Sequence, residues 1–167
     1  MRRFRVYLLV LVALFLQMTV VCWIRISAAE PDLVFLIIVF VAIFFGKARA
    51  LEVGLVAGFL EDALTFDIFG ANSVAFSLTA IIVGGIHTKL FRDSKATQAA
   101  TVFLASLSAM MIHLAYTSAF ARHPSLSVAE YVTGIVVPTA CYNAIIAVPL
   151  GALFARFVNL DEPESIL

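Results

Sequence analysis

Apolar runs long enough to cross a bilayer recur along this chain, separated by short breaks that carry much of its charge. Six can be drawn, over residues 6–24, 31–48, 50–66, 73–91, 97–121 and 138–158. A helix that crosses the hydrocarbon needs about 20 mostly apolar residues. A backbone in lipid must satisfy its own N–H and C=O groups, so such runs are expected to be helical. Composition agrees: 63% of the 167 residues are hydrophobic, 13% are charged and mean hydropathy is +1.06. A soluble domain is roughly 45–50% apolar and about 25% charged. These figures exclude a soluble globular domain, a disordered chain and a nucleic-acid binder of the basic-patch kind. Eleven Lys and Arg against eleven Asp and Glu leave no net charge to recruit a purely electrostatic partner. The expected fold is therefore an all-α polytopic membrane protein: one compact bundle of six transmembrane helices over residues 1–158.

The breaks have their own chemistry. Pro31 suits a first helical position, where its missing N–H costs nothing, and Asp32 would then lie in the first turn. The polar break at residues 46–49 predicts an antiparallel hairpin between the second and third helices. Residues 67–72 hold Asp, Gly and Asn and read as a turn. Pro124 ends the fifth helix. The sixth segment is too long for one straight span. Pro138 divides it, with residues 128–137 either interfacial or a kinked first part.

Basic residues prefer the cytoplasmic side of membrane proteins. With six spans and both ends inside, Arg2, Arg3, Arg5, Lys47, Arg49, Lys89, Arg92, Lys95 and Arg156 are cytoplasmic, while Arg25 and Arg122 are outside. That asymmetry supports the number of spans as well as the orientation. Residues 159–167 form a polar, acidic cytoplasmic tail. The rival reading of the first run is a cleaved signal peptide ending near Ala29, but signal cores hold about 7–15 apolar residues and this run has nineteen.

In lipid, helices associate through small residues and polar contacts rather than through burial from water. Three small-residue stripes mark expected seams. They are Gly54, Gly58 and Asp62 on the third helix, Ala105, Ala109, His113 and Thr117 on the fifth, and Ala140, Ala144, Ala147, Gly151 and Ala155 on the sixth. The second helix has no such stripe. Phe35, Phe40, Phe44 and Phe45 make it bulky all round, so it is expected to face lipid or a partner's membrane anchor.

An acid within the membrane marks a functional candidate. Asp62 continues the glycine seam and is expected to accept hydrogen bonds from backbone N–H groups in the following turn. Glu61, about 100° away, is expected to reach the outer surface. His113, mid-span near Tyr116, and Asn143, after Tyr142, are expected to tie helices together. His87 is expected at helix carbonyls, and His123 in solvated loop. Cys22 and Cys141 are expected to be small buried hydrophobes. No set of ligands converges as a metal requires. Nor is there a nucleophile–base–orienter set, a phosphate loop at Gly84-Gly85, or a nucleic-acid signature. No enzyme activity and no cofactor are expected.

Taken in order, these residues resemble the rod shape-determining protein MreD family of bacteria. Pro31-Asp32 opens an early helix. A glycine-rich helix then ends in an acid before a glycine turn, as Gly54, Gly58, Asp62 and Gly70 do. Near the end stands Pro-x-x-x-Tyr-Asn-x-x-x-Ala-x-Pro, here Pro138, Tyr142, Asn143, Ala147 and Pro149. The resemblance implies a non-enzymatic inner-membrane subunit of the cell-elongation machinery. Its implied partners are an MreC-like single-span protein, an actin-like MreB filament and a peptidoglycan polymerase and transpeptidase pair. It also implies a fold similar to the substrate-binding subunits of energy-coupling vitamin transporters. A small-solute transport or binding subunit, using Glu61, Asp62, His113 and Asn143 around a cavity, is therefore the alternative. A lipid-modifying enzyme ranks last, because the acids and histidines are spread in depth.

Overall fold

The computed structural model describes residues 2–19, 29–65, 68–86, 94–120 and 127–158. These residues form six helices and no strand: α1 (Arg2–Thr19), α2 (Leu33–Phe45), α3 (Lys47–Thr65), α4 (Ala71–Gly85), α5 (Lys95–Phe120) and α6 (Val128–Val158). Of these, α5 and α6 are long and apolar enough to cross a membrane.

The bundle is organised around α2, which packs against each of the other five helices. Nine of its thirteen residues are buried, Phe35, Leu36, Ile38, Phe40 and Ile43 almost completely. This overturns the expectation that α2 faces lipid or a partner's membrane anchor. A helix that is apolar on every side can sit where every side meets protein, and α2 does so. Its aromatic rings have partners from two sides: Phe35 lies 5.5 Å from Phe76 on α4, and Phe40 and Phe44 lie 5.6 and 6.0 Å from Phe154 on α6. Asp32 is also placed differently from expectation. It precedes the helix as its N-cap, with Oδ1 accepting from the Phe35 N–H at 2.8 Å. An aspartate gains more there, by satisfying an otherwise free N–H, than it does inside the first turn.

The expected break at residues 46–49 shrinks to Gly46. Its φ of 81° lies in the left-handed region that favours glycine, and Lys47 already begins α3. From there α3 and α4 run as an antiparallel pair in backbone contact. A Cβ on Gly84 would stand 2.5 Å from Lys47 Cα, one on Gly54 3.3 Å from the Phe76 carbonyl, and one on Gly58 2.5 Å from Ser73 Cα. Glycine at three levels lets the two helices touch along their length.

The helices α5 and α6 pack against each other, and small residues of the expected stripes are buried on both, Ala105 and Ala109 on α5 and Ala140, Ala147 and Gly151 on α6. Gly151 also makes room for Phe40, whose ring a Cβ would meet at 3.3 Å. Residues 128–137 continue into α6 as its first part. Val132–Val136 form a π turn, in which the Val137 N–H reaches back to the Val132 carbonyl. In a regular ladder Pro138 would press its ring on the Gly134 carbonyl, and the wider turn relieves that clash.

Large apolar side chains cover the outside as well. Phe15, Phe59, Leu104, Ile145 and Leu153 are all more than half exposed, and buried polar residues lie within. A soluble domain does not carry so continuous an apolar exterior. Cys141 is exposed too, against the expectation of burial, because it occupies the outward face of α6.

Candidate functional site

Charge is divided between the two ends of the bundle. At one end, Arg5 Nη1 donates to the Phe157 carbonyl at 3.4 Å, so the start of α1 meets the end of α6. Tyr7 Oη donates to Glu52 Oε1 at 2.8 Å, and the Arg49 guanidinium lies 5.2 Å over the Phe45 ring. Lys47 and the end of α4 meet here as well. The opposite end holds Asp32, Glu61, Asp62 and Asn143, and the candidate site is built there.

Asp62 closes the α3–α4 turn. Its Oδ2 accepts from the Gly70 N–H at 3.0 Å, the Ser73 N–H at 3.1 Å and Ser73 Oγ at 3.0 Å, while Oδ1 accepts from the Asn72 N–H at 3.0 Å. The first N–H groups of a helix have no intrahelical acceptor, and a carboxylate at that end also meets the favourable pole of the helix dipole. Gly70 has φ 95°, and Tyr116 Oη on α5 donates to the neighbouring Phe69 carbonyl at 3.2 Å.

Glu61 does not reach the outer surface as expected. It is 94% buried, because α3 is covered by α4 on one side and by α1 and α2 on another. Gln17 Nε2 donates to Glu61 Oε1 at 2.9 Å, and Gln17 Oε1 accepts the Val34 N–H at 3.3 Å. One amide thus joins α1, α2 and α3. The second oxygen of Glu61, Oε2, is buried with no hydrogen-bond partner.

Asn143 makes the matching tie on the other side. Its Oδ1 accepts the Asp32 N–H at 2.9 Å, and its Nδ2 donates to Ser106 Oγ at 3.1 Å, joining α6 to the start of α2 and to α5. Between the two ties lies a cavity of about 250 Å³. Its lining is mixed, with Gln17, Asp32, Glu61 and Asn143 among the polar residues and Phe35 and Phe76 among the apolar ones, and it also includes Glu30, Ala109, His113 and Tyr131.

Several expected site residues fall together here. Asp62 and Gly70 form the turn beside the cavity, and His113 and Asn143 line it. The others serve elsewhere. Gly54 and Gly58 lie at the α3–α4 contact and Ala147 is buried along α6, while Pro138 and Tyr142 are half-buried and Pro149 is exposed. Gln17, Ser106, Tyr116 and Gly84 were not anticipated. Gln17 had a signal, being a lone amide in an apolar run; the others are ordinary residues whose partners are distant in sequence. His87, His123, Cys22, Arg25 and the tail from residue 159 lie outside the described residues. Among the described residues, no three His, Cys, Asp or Glu gather as a metal site.

Gln17, Asp62 and Asn143 each bond to another helix, to a cap or to a turn, which is how a structural bundle uses polarity. Comparison with known proteins agrees. No curated protein and no solved structure matches the chain. A family match does exist: residues 1–160 fit the family described as rod shape-determining protein MreD. With nearly the whole chain covered, the protein belongs to the MreD family of rod shape-determining proteins.

Proposed function

We propose that this chain is a membrane scaffold of the bacterial cell-elongation machinery. It crosses the inner membrane six times with both termini in the cytoplasm. It binds an MreC-like single-span protein and, through it, the MreB-like filament and the peptidoglycan polymerase and transpeptidase. The observation that carries this reading is the family match over residues 1–160. Two further facts support it. The exterior is apolar along the helices, as lipid requires, and the basic residues of α1, the α2–α3 junction and α6 share one end, as the positive-inside rule asks of a cytoplasmic face.

The enclosure of α2 limits where a partner's anchor can pack. It must lie on an outward face, and α6 offers Tyr142 and Pro149 there, half-buried and exposed respectively. Gly54, Gly58, Asp62, Gly70, His113, Pro138, Asn143 and Ala147 then serve the partner indirectly, by holding the helices that present that face. The test is co-purification of the MreC-like partner from membranes of the rod-shaped host. Wild-type protein is expected to retain it, and Asp62→Ala and Asn143→Ala to lose much of it. Absence of the partner from the wild-type preparation would overturn the scaffold reading.

A further inference from the structure

The cavity at the polar end holds a group whose chemistry is incomplete. Glu61 is 94% buried on the cavity wall, and its Oε2 has no hydrogen-bond partner while Oε1 is held by Gln17. A buried carboxylate oxygen without a donor is costly. It therefore identifies what would complete the site, a cation or another strong donor. The rest of the lining agrees. Asp32 and Glu30 add two more acidic residues to the lining, to which, among the described residues, neither Lys nor Arg contributes. The lining also includes the aromatic residues Phe35, Phe76 and Tyr131, and aromatic rings can attract an ammonium group. The volume of about 250 Å³ equals roughly eight water molecules at ~30 Å³ each. That is too large for a bare proton or sodium ion and suited to a small organic cation.

We propose that this cavity binds a primary ammonium group, with the ammonium donating to Glu61 and Asp32 and its carbon substituent lying against the aromatic residues. The ammonium can belong to a free small amine or to the headgroup of an aminophospholipid. Both offer the same three donors and one positive charge. The inference does not rest on the scaffold reading: an amine titration and a partner pull-down fail separately.

The experiment uses the full-length protein in maltoside detergent, delipidated, with ethanolammonium chloride as the probe. Calorimetric titration at constant ionic strength is expected to show saturable binding. Sodium chloride and sodium acetate, run as controls, are expected to give none. Glu61→Gln keeps the shape of the side chain and removes its charge, and is expected to weaken binding at least tenfold. Ala109→Leu fills the cavity from α5 without touching a carboxylate, and is expected to abolish binding while the protein remains folded. It keeps the test decisive if Glu61→Gln unfolds. Native mass spectrometry before delipidation separates the sources. A retained aminophospholipid, absent from Ala109→Leu, assigns the lipid headgroup; a lipid-free protein that binds ethanolammonium assigns a free amine. The proposal is overturned if delipidated wild-type protein shows no saturable binding, if sodium chloride matches the probe, or if folded Ala109→Leu binds as wild type does.

Discussion

Asp62 holds four donors with one carboxylate, and three of them are backbone N–H groups at the α3–α4 turn. Hydrogen bonds to a charged group contribute about 1.5–3 kcal/mol each, and do not add fully. Asp62→Ala is therefore expected to destabilise the protein by on the order of 3 kcal/mol, read as a fall in the thermal unfolding midpoint in detergent. Asp62→Asn retains one acceptor and should recover part of that loss. An unchanged midpoint for Asp62→Ala would show that water replaces the carboxylate in the turn. Gln17→Leu strands the Val34 N–H and Glu61 Oε1 together, and is expected to cost about 1–3 kcal/mol by the same measurement. These two residues differ in how much could be read beforehand. Asp62 stands eight residues before Gly70 in a stretch with turn chemistry, so its partners are local and its acceptor role was legible. The partners of Gln17 lie 17 and 44 residues away. A lone amide in an apolar run announces that it needs partners and gives no means of choosing them. Glu61 was misplaced for a related reason. A 100° step from Asp62 points outward on a helix with one packed face, but α3 is packed on two.

At the scale of the element, α2 and the α3–α4 pair test opposite kinds of packing. The rings of α2 fill space, so Phe40→Ala should leave a void among α2 and α6 and cost about 3–5 kcal/mol. A lipid-facing Phe40 would cost close to nothing, so the unfolding midpoint decides between the two placements. The α3–α4 pair depends on missing atoms instead. Gly58→Ala puts a Cβ 2.5 Å from Ser73 Cα, which is backbone and cannot turn aside. The helices must separate, and a loss of about 1–3 kcal/mol is expected. Gly134→Ala is the internal control: nothing lies within 4 Å, so the change should be neutral or slightly stabilising. Equal midpoints for the two alanines would refute the close approach. The glycine seam was legible, because spacing by four puts Gly54 and Gly58 on one face. The place of α2 was not. Lipid tails are as apolar as a protein core, so an all-round apolar helix has no preference that composition can report. The structure supplies what was missing, a helix of thirteen residues where the sequence predicts a span over 31–48. Thirteen residues rise about 20 Å, against roughly 30 Å of hydrocarbon. A helix that short is best accommodated where protein, rather than lipid, surrounds it.

For the whole molecule, the fate of α1 decides how many helices the mature protein has. Read alone, a basic start followed by a nineteen-residue apolar run favours a first span over a removable signal by its length only. The folded arrangement separates these readings. Val6, Val10, Ala13 and Leu14 are buried in the common core. Arg5 reaches the end of α6, Tyr7 reaches Glu52, and Gln17 holds Glu61. Removing α1 would expose one flank of α2 and leave Glu61 with neither oxygen partnered, beside a cavity that has lost part of its wall. A segment woven into both ends of the bundle is an element of the fold, so the protein purified from membranes should have an intact mass that includes residues 2–19. Orientation follows from the same division of charge. Single cysteines at the exposed positions Lys47 and Lys95 mark the basic end, and those at Glu30 and Phe69 mark the other. With Cys22 and Cys141 replaced by alanine, a membrane-impermeant maleimide should label the Glu30 and Phe69 positions in intact spheroplasts. It should reach the Lys47 and Lys95 positions only after the membrane is opened. Labelling of Lys47→Cys from outside would invert the bundle and place the acidic cavity on the cytoplasmic side. An intact mass lacking α1 would mean that the remaining five helices close around α2 in a different way.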